Sequence, residues 1–306
     1  MNPDLAVETC GLVRLHDRKR ALDGLDMALP RGGIHAVVGA NGAGKSTLFR
    51  LLLGFQQADA GDCFVLGRRA DALTPADRGR IGFVNEEHTL PGWARVDTVL
   101  AVQRALYSGR WDAAAFDAVI GSFDLSGRQR VGQLSRGERA GLNLALALGQ
   151  SPELLILDEP TLGLDVVARR RLLDALIAAV GDERRTILYC SHQIDEVERL
   201  ADTLLILERG RLASFSAPDA FCARIGHWIA DVPFAGPADD AVPGLLRHQR
   251  IDGLHHYVVI DQGDGFASFL HAHGARKPQA MPVPLERAVD AFLTRNHAGT
   301  APRAFS

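Results

Sequence analysis

Apolar residues in the first two thirds of the chain fall into short runs separated by longer amphipathic stretches. Strand patterns cover Leu22–Leu29, Ile34–Val38, Cys63–Leu66, Arg80–Val84, Leu154–Leu157, Thr186–Tyr189, Thr203–Leu207 and Arg211–Phe215. Helical spacing, with apolar residues three and four apart, falls near 47–54, 96–107, 112–123, 137–149, 166–180 and 193–200. Strands interleaved with helices predict an α/β fold with a largely parallel sheet covered on both faces. Residues from about 87 to 150 run helix after helix with no strand between, which predicts a helical subdomain inserted between two sheet strands.

The texture changes near residue 216. Pro218, Pro233, Pro237, Pro243, Pro278, Pro282 and Pro284 punctuate two short strand patterns, Leu245–Arg250 and His255–Ile260, joined by the hairpin-forming pair Asp252-Gly253. Helical patterns follow at Gly265–Gly274 and Pro284–Thr294, the second with Leu285, Val289 and Phe292 on one face. The expected organisation is therefore a domain over 1–215 and a small α+β appendage over 216–306, with a disordered tail from His297.

Composition narrows the class. The net charge of −3 gives no electrostatic case for a nucleic-acid partner. Local basic clusters remain at 14–20 and 169–171; the second reads as a solvated helix face, and the first precedes the glycine-rich stretch at 39–46. No apolar run approaches the ~20 residues of a membrane span, and the N-terminus lacks the pattern of a signal peptide. Cys10, Cys63, Cys190 and Cys222 are scattered without a C-x-x-C pair, as reduced thiols of a cytoplasmic protein would be. His255-His256 and His271/His273 do not make a metal site: neighbours on a strand point to opposite faces, and no carboxylate or thiol is spaced to complete a set.

The chemistry begins at Gly39-Ala40-Asn41-Gly42-Ala43-Gly44-Lys45-Ser46, between a strand pattern and a helical pattern that opens on Thr47. Glycines let several backbone N–H groups converge on one phosphate, and the helix N-terminus adds partial positive charge. Lys45 is expected to reach the β- and γ-phosphates of a nucleoside triphosphate, and the Ser46 hydroxyl to ligate Mg²⁺. A second element, Leu154-Leu155-Ile156-Leu157-Asp158-Glu159, is an apolar strand ending in two acids. At the carboxyl end of a parallel sheet, Asp158 would hold Mg²⁺ and Glu159 would polarise the water that attacks the γ-phosphate.

Between them, Leu134-Ser135-Arg136-Gly137-Glu138 opens a helix, and Gly163-Leu164-Asp165 and Ser191-His192 follow downstream. In this order the motifs resemble those of the ATPase subunit of ATP-binding-cassette (ABC) transporters across residues 3 to about 215. The resemblance makes Gly39–Ser46 the Walker A loop, Ser135 and Gly137 part of the LSGGQ-type signature, Asp158-Glu159 Walker B, Asp165 the D-loop aspartate and His192 the switch histidine. It implies a P-loop NTPase core with an inserted helical subdomain. It also implies hydrolysis of ATP with Mg²⁺, and a head-to-tail dimer in which the signature of one subunit closes on the nucleotide of a second, identical or not. His192 would bind the γ-phosphate and orient the water.

Three positions depart from the family pattern. Glu86 follows Gly82-Phe83-Val84-Asn85 where a glutamine is usual. Two readings stand for it: a carboxylate that reaches Mg²⁺ or its water and adds negative charge beside the triphosphate, or a variant with no kinetic consequence. Arg136 and Glu138 replace glycine and glutamine in the signature. His16 occupies the place of the adenine-stacking aromatic, and a plain loop residue is the competing reading.

The resemblance implies a peripheral protein on the cytoplasmic face of the inner or plasma membrane, coupled to a separate transmembrane permease. The candidate contact is Glu87–Val99, around Trp93. The segment Pro282–Leu293 is similar to the tail of ATPases from two-component exporters, which points to export. The rival expectation is a soluble ABC ATPase that transports nothing and serves in assembly or regulation.

Overall fold

The computed structural model describes residues 2–17, 19–123, 125–179, 185–232 and 236–295. The expected disordered tail lies outside these residues, as do Arg18 of the first basic cluster, Pro233 and the last residue of the helix expected over 166–180. The chain separates into two compact units, Met1–Phe215 and Ser216–Ser306.

The first unit runs β1 (Leu5–His16), β2 (Lys19–Pro30), β3 (Ile34–Val38), α1 (Lys45–Leu52), β4 (Ala60–Val65), β5 (Arg68–Arg69), α2 (Pro75–Arg78) and β6 (Ile81–Val84). It continues with α3 (Val96–Leu106), α4 (Ala113–Ile120), α5 (Arg136–Gly149), β7 (Leu154–Asp158), α6 (Val166–Ala179), β8 (Thr186–Cys190), α7 (Ile194–Leu200), β9 (Thr203–Glu208) and β10 (Arg211–Ser216). Two sheets form, one ordered β2-β1-β4-β5 and antiparallel, the other six-stranded in the order β10-β9-β3-β8-β7-β6. Strands β9, β3, β8, β7 and β6 run parallel to one another.

Every residue of β3 and β8 is buried, as expected of central strands covered on both faces. One core joins the two sheets through α1, with Leu48, Phe49, Leu51 and Leu52 against Leu22, Leu25, Val37, Ile156 and Leu205. A second core packs α5 and α6 on the other face, with Leu142, Leu146, Leu172 and Leu176 against Leu155, Leu157, Ile187 and Tyr189. No strand is assigned between β6 and β7 among the described residues, where α3, α4 and α5 follow one another.

Strand β1 is absent from the periodicity reading. Its register with β2 slips between Thr9 and Leu12 around Gly11 (φ 54°), so the alternation of faces is broken within the strand.

Glu153 ties the entry edge of the large sheet. Arg80 grips it with two hydrogen bonds (2.5 and 2.7 Å), and Arg31 adds a third at 3.1 Å. These bonds, Arg80 first, outweigh partial burial and hold the Glu153 carboxyl at about 2, against an ordinary 4.5. A depressed folded pKa contributes stability that is present above pH ~4.5 and lost as pH falls toward 2. Glu153→Gln should therefore flatten the fall of the thermal midpoint between pH 5 and pH 2.5. An unchanged acid limb would assign that limb to other carboxylates.

The second unit contains α8 (Pro218–Ala223), β11 (Ile225–Asp231), β12 (Leu245–Ile251), β13 (Leu254–Ile260), α9 (Gly265–Ala272), β14 (Arg276–Met281) and α10 (Leu285–Thr294). Its antiparallel sheet is ordered β12-β13-β11-β14. The turn between β12 and β13 uses Asp252 and Gly253, both at positive φ, as a two-residue hairpin requires. Trp228, Tyr257, Val259, Phe266 and Leu270 form one of its cores. Strands β11 and β14 are further additions to the periodicity reading. Strand β14 is a polar edge strand containing Pro278, with no apolar alternation to find.

Candidate active site

The carboxyl ends of four neighbouring parallel strands meet at one cleft. The phosphate loop leaves β3, Glu86 follows β6, Asp158-Glu159 end β7 and His192 follows β8. A cavity of about 560 Å³ opens there, lined by Asn41, Gly42, Gly44, Lys45, Ser46, Thr47, Glu86, Asp158, Glu159, His192 and His16, together with Lys19, Ala21 and Leu162.

The loop's conformation needs glycine at two places. At Gly44 (φ 110°) a Cβ would sit 2.5 Å from the Ala21 carbonyl oxygen, and at Gly39 2.3 Å from that of Leu207. The loop is thus wedged between β2 and the end of β9. Gly39 and Ala43 support the loop from below and are outside the cavity lining. The Lys45 ammonium donates to the loop carbonyls of Gly39 (2.6 Å) and Ala40 (3.3 Å).

Three acids, Glu86, Asp158 and Glu159, line the same cavity as Lys45. Burial raises the Asp158 pKa, and the negative fields of Glu159 and Glu86 raise it further; hydrogen bonds from Cys190 and Ser46 oppose the shift. Glu159 is held in the left-handed region (φ 51°), a strained position for a non-glycine residue of the kind found at functional sites. Its backbone N–H donates to the Cys190 carbonyl at 3.0 Å. Its carboxylate lies 2.7 Å from His192 Nδ1 and accepts from the His192 N–H at 3.2 Å. An acid and an imidazole are thereby paired beside the phosphate loop, where a water attacking a γ-phosphate has to be oriented.

His16 sits at the rim with its Nε2 3.3 Å from Thr47 Oγ1. Lys19 belongs to no motif; its signal in the sequence is the basic cluster at 14–20. Its ammonium lies beside Gly42, adding a second cation at the phosphate end.

Ser135, Gly137 and Asp165 lie outside this cavity. Ser135 caps α5: its hydroxyl accepts from the Glu138 N–H (3.2 Å), and the Glu138 carboxylate accepts from the Ser135 N–H (2.7 Å). A carboxylate serves this box as well as an amide, which accounts for Glu138. Gly137 lets α5 meet α6, since a Cβ would stand 2.5 Å from that of Ala168. Arg136 donates to the Glu86 carbonyl at 3.3 Å and covers Gly163. Asp165 caps α6 through the N–H groups of Val167 and Ala168, both at 2.9 Å.

A family model described as ABC transporter matches residues 22–162. The chain is 34% identical over 247 residues to the aliphatic sulfonates import ATP-binding protein SsuB 1 of Nocardia farcinica, covering 80% of this chain and 89% of that protein. It is 34% identical over 303 residues to the Nod factor export ATP-binding protein I of Mesorhizobium japonicum, covering 94% and 86%. Its fold is that of a solved ATP binding subunit of an ABC transporter, with a TM-score of 0.64 at 24% identity over 71% of this chain and 92% of the other. The cleft gathers the phosphate-loop, Asp158-Glu159 and His192 segments, and the likeness extends well beyond them. The protein belongs to the ABC transporter family, as an ATP-binding and ATP-hydrolysing subunit.

Proposed function

We propose that this subunit powers export through a separate transmembrane permease, docked on its cytoplasmic face, with two cassettes closing head to tail on two ATP molecules. The observation that carries the catalytic reading is the Glu159–His192 pair at 2.7 Å across from Lys45 in one cavity. On ATP binding, Lys45 exchanges the Gly39 and Ala40 carbonyls for the β- and γ-phosphates. Loop N–H groups from Asn41 to Thr47 cradle the phosphates, Lys19 adds charge and His16 covers the base. Glu159 takes the proton of the attacking water, and His192 holds Glu159 in place and contacts the γ-phosphate.

Hard oxygen donors suit Mg²⁺, and Ser46, Asp158 and Glu86 supply them. The raised Asp158 pKa fits a cation, because burial and the neighbouring Glu159 and Glu86 carboxylates disfavour its charge, which a divalent ion there would offset. Bound there, Mg²⁺ would offset the charge of the triphosphate.

Ser135 and Asp165 lie outside the lining of their own cavity, as groups that serve a partner's nucleotide would. Ser135 is exposed and sits at the N-terminus of a 14-residue helix, a suitable γ-phosphate ligand. For the permease contact, Trp93 stands 79% exposed in the segment after Glu86. Among the described residues no helix is long and apolar enough to cross a membrane. Export is favoured because the likeness to an export ATPase spans 94% of the chain, including the C-terminal unit, whereas that to the import ATPase spans 80%.

The test is capture of the protein from detergent-solubilised native membranes, with Mg-ATP hydrolysis assayed in the captured complex. A multi-span partner that changes the ATPase rate is the expected result. Capture of soluble partners alone would overturn the transporter role and leave the ATPase.

A further inference from the structure

Glu196, on the first turn of α7, is a carboxylate only 1% exposed. Its Oε2 accepts from Ser191 Oγ at 2.7 Å, from Thr161 Oγ1 at 2.9 Å and from the Tyr189 hydroxyl. Its Oε1 accepts from Arg169 Nε at 2.5 Å. A buried carboxylate is costly unless paired and hydrogen-bonded, and an apolar side chain of equal size stabilises a core at least as well. Packing alone therefore gives no reason for a charge here. The origin of its donors does.

Ser191 immediately precedes His192, and its hydroxyl also accepts from the Gln193 N–H at 3.1 Å, so His192 is bracketed by one hydroxyl. Thr161 lies two residues after Glu159, and its carbonyl accepts from the Leu164 N–H at 3.1 Å. Arg169 sits on the first turns of α6, where its own N–H donates to the Asp165 carbonyl at 2.9 Å; its guanidinium also reaches Asp195 at 2.5 Å. One carboxylate thus joins the segment carrying Glu159, the segment carrying His192 and the helix capped by Asp165.

We propose that Glu196 is the positioning residue of the Glu159–His192 pair, and that it ties this pair to the helix capped by Asp165. The inference rests on the functional reading above. Fixed hydrogen bonds from one rigid acceptor leave the two loops no independent freedom, so the 2.7 Å approach of Glu159 to His192 is set by a group that touches no substrate.

Steady-state ATP hydrolysis should be compared in wild type, Glu196→Gln, His192→Ala and the double variant. The amide cannot accept four donors, so Glu196→Gln should lower kcat by about 10- to 100-fold, as misplacing a reacting group does. KM for ATP should hold within about twofold, because the phosphate loop is untouched. In the His192→Ala background the same substitution should cost less than about twofold, the interaction expected of residues that act through one another. Equal losses in both backgrounds would overturn the proposal and leave Glu196 a structural residue. If His192→Ala itself leaves kcat unchanged, the catalytic reading fails, and this inference with it.

Should Glu196→Gln not fold, Ser191→Ala removes one donor and keeps the Arg169 pair. In either variant the ¹⁵N ring signals of His192 should move while those of His256, in the second unit, stay in place. Unmoved His192 signals would overturn the proposal.

Discussion

Glu159→Gln should lower ATP turnover by about 10²–10⁴-fold, the contribution of a positioned general base, which corresponds to ~2.7–5.4 kcal/mol of barrier. Glutamine keeps the size of the side chain, and it tolerates the left-handed backbone at this position about as well as glutamate. It can also hydrogen-bond the His192 N–H through its amide oxygen. What it lacks is the capacity to take a proton. Equilibrium binding of ATP, followed with a fluorescent analogue, should therefore survive while phosphate release stops. A collapse of ATP affinity would assign Glu159 to metal binding or to folding and move the general base elsewhere.

Ser135→Arg should abolish ATP-dependent dimerisation and leave single-site nucleotide binding intact. The hydroxyl lies outside its own cavity at the exposed end of α5, so a long cation there disturbs no group that holds this subunit's nucleotide. It would fill the space that a partner's γ-phosphate has to enter. Loss of the cap itself costs about 0.5–2 kcal/mol, a small part of a domain's stability and visible as a lower melting temperature. Sedimentation of the Glu159→Gln protein with ATP, with and without Ser135→Arg, separates the outcomes. A double variant that still dimerises on ATP would rule out the head-to-tail sandwich.

Much of this site could be read from the chain because its chemistry is local. Gly39–Ser46 needs only one strand, one turn and one helix, and Asp158-Glu159 end an unbroken apolar strand. The central sheet is legible for the same reason, since its fully buried strands are short runs of mostly apolar residues. Strand β1 was not, because the slip at Gly11 breaks its alternation, and β14 is too polar to signal a strand.

Contacts made through space left no pattern in the chain. Arg136 and the Glu86 carbonyl are 50 residues apart in sequence, and Thr161 and Glu196 are 35 apart. Glu138 departs from the family's motif, and the capping box with Ser135 shows that a carboxylate performs the same function. Gly137 looked like a ligand to phosphate, and the structure adds a second demand on it, the close approach of Ala168.

The strands β3, β8, β7 and β6 lie side by side, and each delivers one part of the cleft from the same end. Their spacing is set by backbone hydrogen bonds that do not depend on which side chains follow them. A loop at that edge can be lengthened, shortened or rewritten without shifting the anchor points of the other three. Unusual residues such as Glu86 can then accumulate one loop at a time. The same arrangement recommends grafting single loops between relatives as the way to find which of them sets the turnover rate.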